Sequence, residues 1–252
     1  MLSFQHAFIT GASAGIGRSL ARLIAARGTR VVLSARREPE LQALAEEIRR
    51  AGGTADVCPL DVADVAATQQ AIAQWDKETG GLDLVIANAG VGITRPAHKL
   101  AWSDIEPVLR VNVIGAFATV HAAVQHMVPR GHGTIVGVSS LASMRGLPNS
   151  GAYAASKAAF ATFLETLRAD LQRKGITIVD VRPGFVDTAM TQPNKFKMPF
   201  LMHVDDAAKA ALRGIDRGQA VVAFPWQLAN AMSLAEGMPD RLWRTVATKV
   251  KM

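Results

Sequence analysis

The sequence predicts an α/β fold, a single doubly wound parallel sheet with helices on both faces, formed by residues 1–252 as one domain. Three observations predict it. Short β-branched apolar runs alternate with longer Ala-rich amphipathic stretches, and strands joined by helical crossovers lie parallel. The runs are solidly apolar rather than alternating, as burial on both sheet faces requires. Crossovers of this kind are right-handed, which places helices on both sides of the sheet.

Taken in order, the first strand, Phe4–Ile9, leads into a helix over Ile16–Arg27, and Arg30–Ser34 leads into Leu41–Ala51. Thr54–Cys58 precedes a helix over Val65–Glu78, and Leu82–Ala87 precedes a helical pattern near 101–128. Thr134–Val138 is followed by a helix near 150–173, then by the strand Thr177–Val181. A last strand falls within Gly218–Trp226, and a helical segment continues through Met232 and Leu234 to Pro239. No repeat or linker interrupts the chain, and its character changes only at about residue 189.

With 49% hydrophobic and 19% charged residues, the chain buries a large core rather than staying disordered. Its net charge of +7 raises the question of a polyanionic partner. Residues 1–60 carry 8 basic and 5 acidic side chains, residues 61–188 carry 11 of each, and residues 189–252 carry 9 and 5. The surplus therefore sits at the two ends. Nucleic-acid binding is not expected, because no recognition motif or aromatic ladder for stacking accompanies the charge. The lone Cys58 excludes an intrachain disulfide and permits a reducing compartment. The N-terminus lacks the pattern of a signal peptide, and the apolar stretch Val111–Val124 is shorter than the roughly 20 residues of a membrane span. A cytoplasmic protein with no integral membrane span is expected. The six histidines show no ligand spacing, so no metal site is expected.

The segment Thr10-Gly11-Ala12-Ser13-Ala14-Gly15-Ile16-Gly17 occupies the first strand-to-helix turn. A pyrophosphate there meets backbone N–H groups and the positive helix end. Glycine permits the tight turn and keeps Cβ atoms away from the phosphates; a simple turn is the bland alternative. At the end of the second strand, where an NAD site carries an acid for the ribose, stand Ala35, Arg36 and Arg37. A guanidinium suits a 2′-phosphate, so NADP (NADPH) is preferred and NAD is the lesser alternative. The bland alternative is a pair of solvated arginines.

Tyr153-Ala-Ala-Ser-Lys157 lies early in a helix, with Tyr153 and Lys157 at i and i+4. A phenol titrates at about 10 and needs a nearby cation to favour phenolate; Lys157 is placed to supply it. Tyr153, the chain's one tyrosine, is expected to ionise well below 10 in the cofactor-free protein. Ser139-Ser140 ends the strand Thr134–Val138, at the edge where doubly wound sheets bind ligands.

With these residues in place, the sequence resembles the short-chain dehydrogenase/reductase family over nearly all of the chain to about Thr188. The resemblance implies a Rossmann fold, with Thr10, Gly11, Gly15 and Gly17 as the family's glycine loop and Ser13 and Ile16 at the cofactor within it. It selects Ser140, thirteen residues before Tyr153, over Ser139, and matches the family's asparagine, early in the helix after the fourth strand, to Asn112. It further implies that Asp61 and Val62 contact adenine and that Asn88, Ala89 and Gly90 line the cofactor site. Pro183, Gly184, Val186 and Thr188 would hold the nicotinamide end. The implied chemistry is hydride transfer between nicotinamide and a carbonyl, with Tyr153 as general acid or base. Ser140 would polarise the carbonyl, Lys157 would depress the phenol and bind ribose, and Asn112 would hold a relay water. The sequence departs from the family's NADP-preferring members at Ala14, where a basic residue is common, and in Ala87-Asn88-Ala89-Gly90, where two asparagines are usual.

Residues 189–252 read as a substrate lid and C-terminal extension of the same domain. The lid, from Ala189 to His203, carries Met190, Phe196, Met198, Phe200, Leu201 and Met202, side chains that adapt to an apolar ketone or aldehyde. An apolar helix pair packing on the sheet edge is the alternative. Within enzymes a 3-oxoacyl-thioester reductase is the alternative, and outside them a catalytically silent NAD(P)-binding regulatory protein. The tail's Arg241, Arg244, Lys249 and Lys251 beside Leu242, Trp243 and Val246 suit weak contact with a membrane surface or a solvated helix. The family resemblance implies a homodimer or homotetramer.

Overall fold

The computed structural model describes residues 2–192 and 196–247. Among these, β1 (His6–Thr10), β2 (Arg30–Ala35), β3 (Ala55–Pro59), β4 (Leu84–Ala87), β5 (Gly133–Val138), β6 (Ile176–Pro183) and β7 (Val221–Phe224) form one sheet in the order β3-β2-β1-β4-β5-β6-β7. Every neighbouring pair is parallel. The chain starts at the centre, runs outward through β2 and β3, then crosses back over β1 to β4. That reversal opens a crevice at the carboxyl ends of β1 and β4.

The helices are α1 (Gly15–Ala25), α2 (Glu38–Arg50), α3 (Val65–Thr79), α4 (Trp102–Leu109), α5 (Ala116–Arg130), α6 (Gly151–Leu171), α7 (Val204–Asp216), α8 (Trp226–Glu236) and α9 (Asp240–Ala247). Consecutive β1 residues show why the strands are apolar throughout. Ile9 packs with Leu20, Leu33, Leu41 and Leu212 on one face, and Phe8 packs with Val32, Val85, Ile135 and Phe160 on the other. Each fully buried side chain of this kind contributes roughly 1.5–3 kcal/mol.

Three differences from the sequence reading have local causes. The first strand begins at His6 rather than Phe4, because the Asp83 carboxylate takes the backbone N–H groups of Gln5 (2.7 Å) and His6 (3.0 Å) in place of a strand partner. The expected helix 101–128 is a helical run from Trp102 to Arg130 with a π-helical stretch, Arg110–Gly115, between α4 and α5. Asn112 thus lies in the middle of that run and not early in it. Helix α7, which the sequence reading passed over, buries Ala207, Ala208, Ala211, Leu212 and Ile215.

The run Trp102–Arg130 is long and apolar enough by composition to cross a membrane, but half of its most apolar window is buried within the fold. Its buried Val120, Ala123 and Met127 belong to the core on the α5 face. In the C-terminal part, Arg241 and Arg244 are exposed on α9, while Lys249 and Lys251 of the expected basic tail lie outside the described residues.

Candidate active site

A cleft of ≈ 530 Å³ opens along the carboxyl edge of the sheet. At its centre is the β1–α1 turn. Gly11 and Gly15 both adopt positive φ, +67° and +58°. A Cβ at Gly11 would lie 2.8 Å from the Asn88 amide nitrogen, and one at Gly17 only 2.3 Å from it. Asn88 fills that space itself, donating from Nδ2 to the carbonyls of Thr10 (3.0 Å) and Gly11 (3.2 Å). Thr10 Oγ1 in turn accepts from the N–H groups of Asn88 and Ala89. Gly17 therefore answers to Asn88 behind the turn rather than to a phosphate in front of it. A Cβ at Gly15 would meet the Thr188 methyl at 3.3 Å across the cleft.

Helix α1 begins after Ala14 with no side-chain cap and no acidic residue in its first turn. Its first N–H groups are left for a ligand, and the positive helix end adds to the attraction of an anion. Beyond it, Arg37 donates to Ser13 Oγ at 3.0 Å and pairs with Glu40 at 3.3 Å, while Arg36 stands 3.9 Å from the Asp61 carboxylate. The two guanidiniums border one end of the cleft together.

The other end holds the hydroxyl cluster. Ser140 caps the turn after β5, accepting from the N–H of Ala142 at 3.1 Å and donating toward the Pro183 carbonyl at 3.4 Å. It lies close enough to the Tyr153 phenol to pull its proton affinity down. Lys157, buried, donates from Nζ to the Val138 carbonyl at 2.8 Å and lies 5.9 Å from the centre of the Tyr153 ring. Burial lowers the Lys157 ammonium to about 8, with Asp180 pulling it upward.

The expectation that Lys157 depresses the phenol is corrected here. Burial pushes Tyr153 above its ordinary value, and the opposing pull comes from the Ser140 hydroxyl. The ammonium spends a hydrogen bond on Val138 instead. Asn112 is likewise committed: its Oδ1 accepts from the Val91 N–H (2.8 Å), and its Nδ2 donates to the Val91 carbonyl (2.9 Å) and Ser156 Oγ (3.0 Å). Both Nδ2 hydrogens are thus taken, and a relay water on that side chain would have to donate to Oδ1, which keeps a second acceptor position. Asn112 as found clamps the β4 loop to α6.

Of the residues singled out from sequence, Gly11, Ser13, Gly15, Ile16, Arg36, Asp61, Val62, Asn88, Ala89, Gly90, Tyr153, Lys157, Pro183, Gly184, Val186 and Thr188 all line this cleft. Gly17, Asn112 and Ser140 are not among its lining residues, whereas Ser139 is. Sequence reasoning missed Thr191, whose hydroxyl donates to the Val186 carbonyl (2.6 Å) and accepts from the Thr188 N–H (3.0 Å); no spacing signal marks such a loop tie. It also missed that Met190 rests on Gly92 beside the Tyr153 ring, where a Cβ on Gly92 would be 3.2 Å from Met190 Cγ.

In the lid, Phe196 packs edge-on against Phe185 with centroids 5.9 Å apart, and residues 193–195 lie outside the described residues. The described lid residues form turns, not the helix pair of the alternative reading. Arg145, on the loop after β5, donates to the Met238 carbonyl (3.3 Å) and Asp240 (2.6 Å) and stacks 5.6 Å from the Trp243 ring. Helix α9 is thereby fastened beside the hydroxyl cluster.

The strand order and the cleft at the switch point define a Rossmann-fold protein. The pattern described as short chain dehydrogenase matches residues 5–198. The chain belongs to the short-chain dehydrogenase/reductase family and is an oxidoreductase of it. It is 46% identical over 250 residues to an uncharacterized oxidoreductase of Myxococcus xanthus, covering 99% of each chain. It is 37% identical over 224 residues to the 11-beta-hydroxysteroid dehydrogenase-like 3 protein of Arabidopsis thaliana, covering 86% of this chain and 72% of that one. A gluconate 5-dehydrogenase from Burkholderia cenocepacia, solved in complex with NADP and tartrate, superimposes with a TM-score of 0.83 at 28% identity over 91% of this chain and 96% of that one.

Proposed function

We propose that the protein is an NADP(H)-dependent oxidoreductase that interconverts an apolar ketone or aldehyde and its alcohol. The observation that carries this reading is the Tyr153 hydroxyl beside Ser140 and the buried Lys157 at one end of a cleft whose other end presents two guanidiniums. The cleft fits a dinucleotide: the uncapped start of α1 suits the pyrophosphate, and Arg36 and Arg37 suit a 2′-phosphate. The complex of the Burkholderia cenocepacia relative with NADP supports a nicotinamide dinucleotide in this cleft. Asp61 and Val62 would flank the adenine, and Val186 and Thr188, held by Thr191, would face the carboxamide.

The nicotinamide, when bound, supplies or accepts the hydride. Ser140 donates a hydrogen bond to the substrate carbonyl oxygen and fixes its position. In reduction, Tyr153 gives its phenolic proton to that oxygen as the hydride reaches the carbon. A phenol held above its ordinary value by burial is neutral at pH 7 and so carries the proton this step needs. Lys157, held by the Val138 carbonyl, would bind the nicotinamide ribose, and in oxidation Tyr153 takes the proton back. Met190, resting on Gly92 beside the Tyr153 ring, would shelter this end of the cleft from water and favour apolar substrates.

The test is a screen of ketones and secondary alcohols with NADPH and NADP, run on the wild type and on Tyr153→Phe. Turnover should appear with apolar carbonyls and vanish in the variant, with NADPH binding retained. Turnover surviving in Tyr153→Phe would sink the mechanism.

A further inference from the structure

Asp180 is a fully buried carboxylate in β6 with no part in the mechanism above. Its register partner in β5 is Gly137, so it lies two residues from Ser139 on the neighbouring strand. One oxygen accepts from Ser139 Oγ at 2.5 Å, and the other accepts from Arg182 Nε at 2.6 Å. Ser139 precedes Ser140, and its N–H is held by the Val181 carbonyl at 2.8 Å. Arg182 precedes Pro183, whose carbonyl receives the Ser140 hydroxyl. Lys157 is tied to the same strand end through the Val138 carbonyl. One buried anion thus borders three pieces of the hydroxyl cluster.

Burying a carboxylate is costly unless it is paired and hydrogen-bonded. A fold that needed only a packed strand would place an apolar residue here, like the neighbouring Ile178 and Val181. The anion does have a use at this position. Lys157 loses hydration on entering the core, which favours its neutral amine, and a nearby negative charge opposes that loss. Asp180 exerts this pull on Lys157. Among the described residues, the charged or titratable groups that act on or stand beside Lys157 are Asp180 from β6, itself paired with Arg182, and Tyr153 from its own helix. β5 presents the Val138 carbonyl and Ser139, and the loop after β4 and the π-helical stretch present Gly90 and Asn112, all uncharged.

We propose that Asp180 is a positioning residue: held by Arg182, its carboxylate fixes Ser139, and through it the Ser140 hydroxyl beside Tyr153, while its negative charge acts on Lys157 across the end of the strands. The inference rests on the assignment of Ser140, Tyr153 and Lys157 under Proposed function, so its test reads Lys157 directly as well as through turnover.

Competitive acetylation with acetic anhydride across a pH series, quantified on the peptide carrying Lys157, gives that side chain's titration midpoint. Asp180→Asn should lower it by about half a pH unit or more, and should move the alkaline limb of kcat/KM for carbonyl reduction the same way. Because Asp180→Asn strands Arg182, the double variant Asp180→Leu/Arg182→Met provides a second reading without a buried unpaired charge, and its midpoint should fall as well. Ser139→Ala should lower kcat about tenfold with NADPH affinity and the Lys157 midpoint unchanged. An unmoved midpoint in both Asp180 variants, with NADPH affinity intact, overturns the electrostatic hold. Unchanged kcat in Ser139→Ala overturns the hold on Ser140. A midpoint that moves while the pH–rate limb stays put leaves the hold standing and removes Lys157 from the reaction.

Discussion

Lys157→Met should make the protein more stable at neutral pH while abolishing turnover. Lys157 is 4% exposed, and its ammonium drops from the usual 10.5 to about 8. At about 1.4 kcal/mol per pH unit, that drop means the buried charged form costs about 3 kcal/mol. Methionine removes this cost and keeps most of the side-chain volume, but it leaves the Val138 carbonyl without its donor, a loss of about 1 kcal/mol. The variant should therefore gain about 2 kcal/mol at pH 7.

The pH dependence carries the sharper test. Below pH 8 the folded and unfolded wild-type lysines are both protonated, and the full cost is present. Between about 8 and 10.5 the folded lysine has lost its proton while the unfolded one keeps it. The unfolded state then binds more protons, and wild-type stability rises with pH relative to the variant. The advantage of Lys157→Met should shrink across that window. Urea unfolding of both proteins from pH 6.5 to 10 measures it directly. A variant less stable than wild type at pH 7, or an advantage that does not change with pH, would refute the burial argument.

Other expectations test separate parts of the cleft. Arg36→Ala should raise the dissociation constant for NADPH at least tenfold more than that for NADH, as measured by fluorescence titration, and Arg37→Ala should act in the same direction; equal effects on both cofactors would mean that these are surface charges only. Gly17→Ala places a Cβ 2.3 Å from the Asn88 amide and should cost about 1–3 kcal/mol in thermal unfolding, with dinucleotide binding weakened; Asn88→Ala in the same chain should recover part of the stability by making room. Absorbance titration of the cofactor-free protein, which reports Tyr153 alone because it is the chain's one tyrosine, should show a midpoint above the usual 10; a midpoint below it would restore the view that Lys157 dominates the phenol.

Much of the architecture is legible in the sequence because the buried strands announce themselves. Runs such as Val31–Leu33 and Leu84–Ala87 are apolar on both faces, and the amphipathic stretches between them leave one topology. Strand and helix ends were less legible. His6 begins β1 because Asp83, more than seventy residues away in sequence, caps the backbone before it. Helix α7 buries Ala207, Ala208 and Ala211 in packing against α1, a partner far away in the chain. The π-helical stretch around Asn112 ends at Gly115, where a Cβ would lie 2.7 Å from the Val62 carbonyl, a contact between distant segments.

The site divides in the same way. The glycine loop, Arg36, Ser140 and the Tyr153–Lys157 pair were legible because each is a local pattern of residue type and spacing in one strand–helix junction or helical turn. What those residues experience was not. The sequence placed a cation four residues from a phenol and so implied a depressed phenol, but the fold turns Lys157 to a backbone carbonyl and half-buries Tyr153. It showed three glycines, but only the fold shows Asn88 standing where two of their side chains would be. It gave no sign that Asp180 and Arg182 join Ser139 beneath the hydroxyl cluster. Sequence by itself determined the fold class, the family and the identity of the reactive groups, because periodicity and short motifs are local. Tertiary structure alone decided protonation, the partners of each polar atom and the lining of the cleft, because burial and Coulomb interactions depend on distances between segments far apart in the chain.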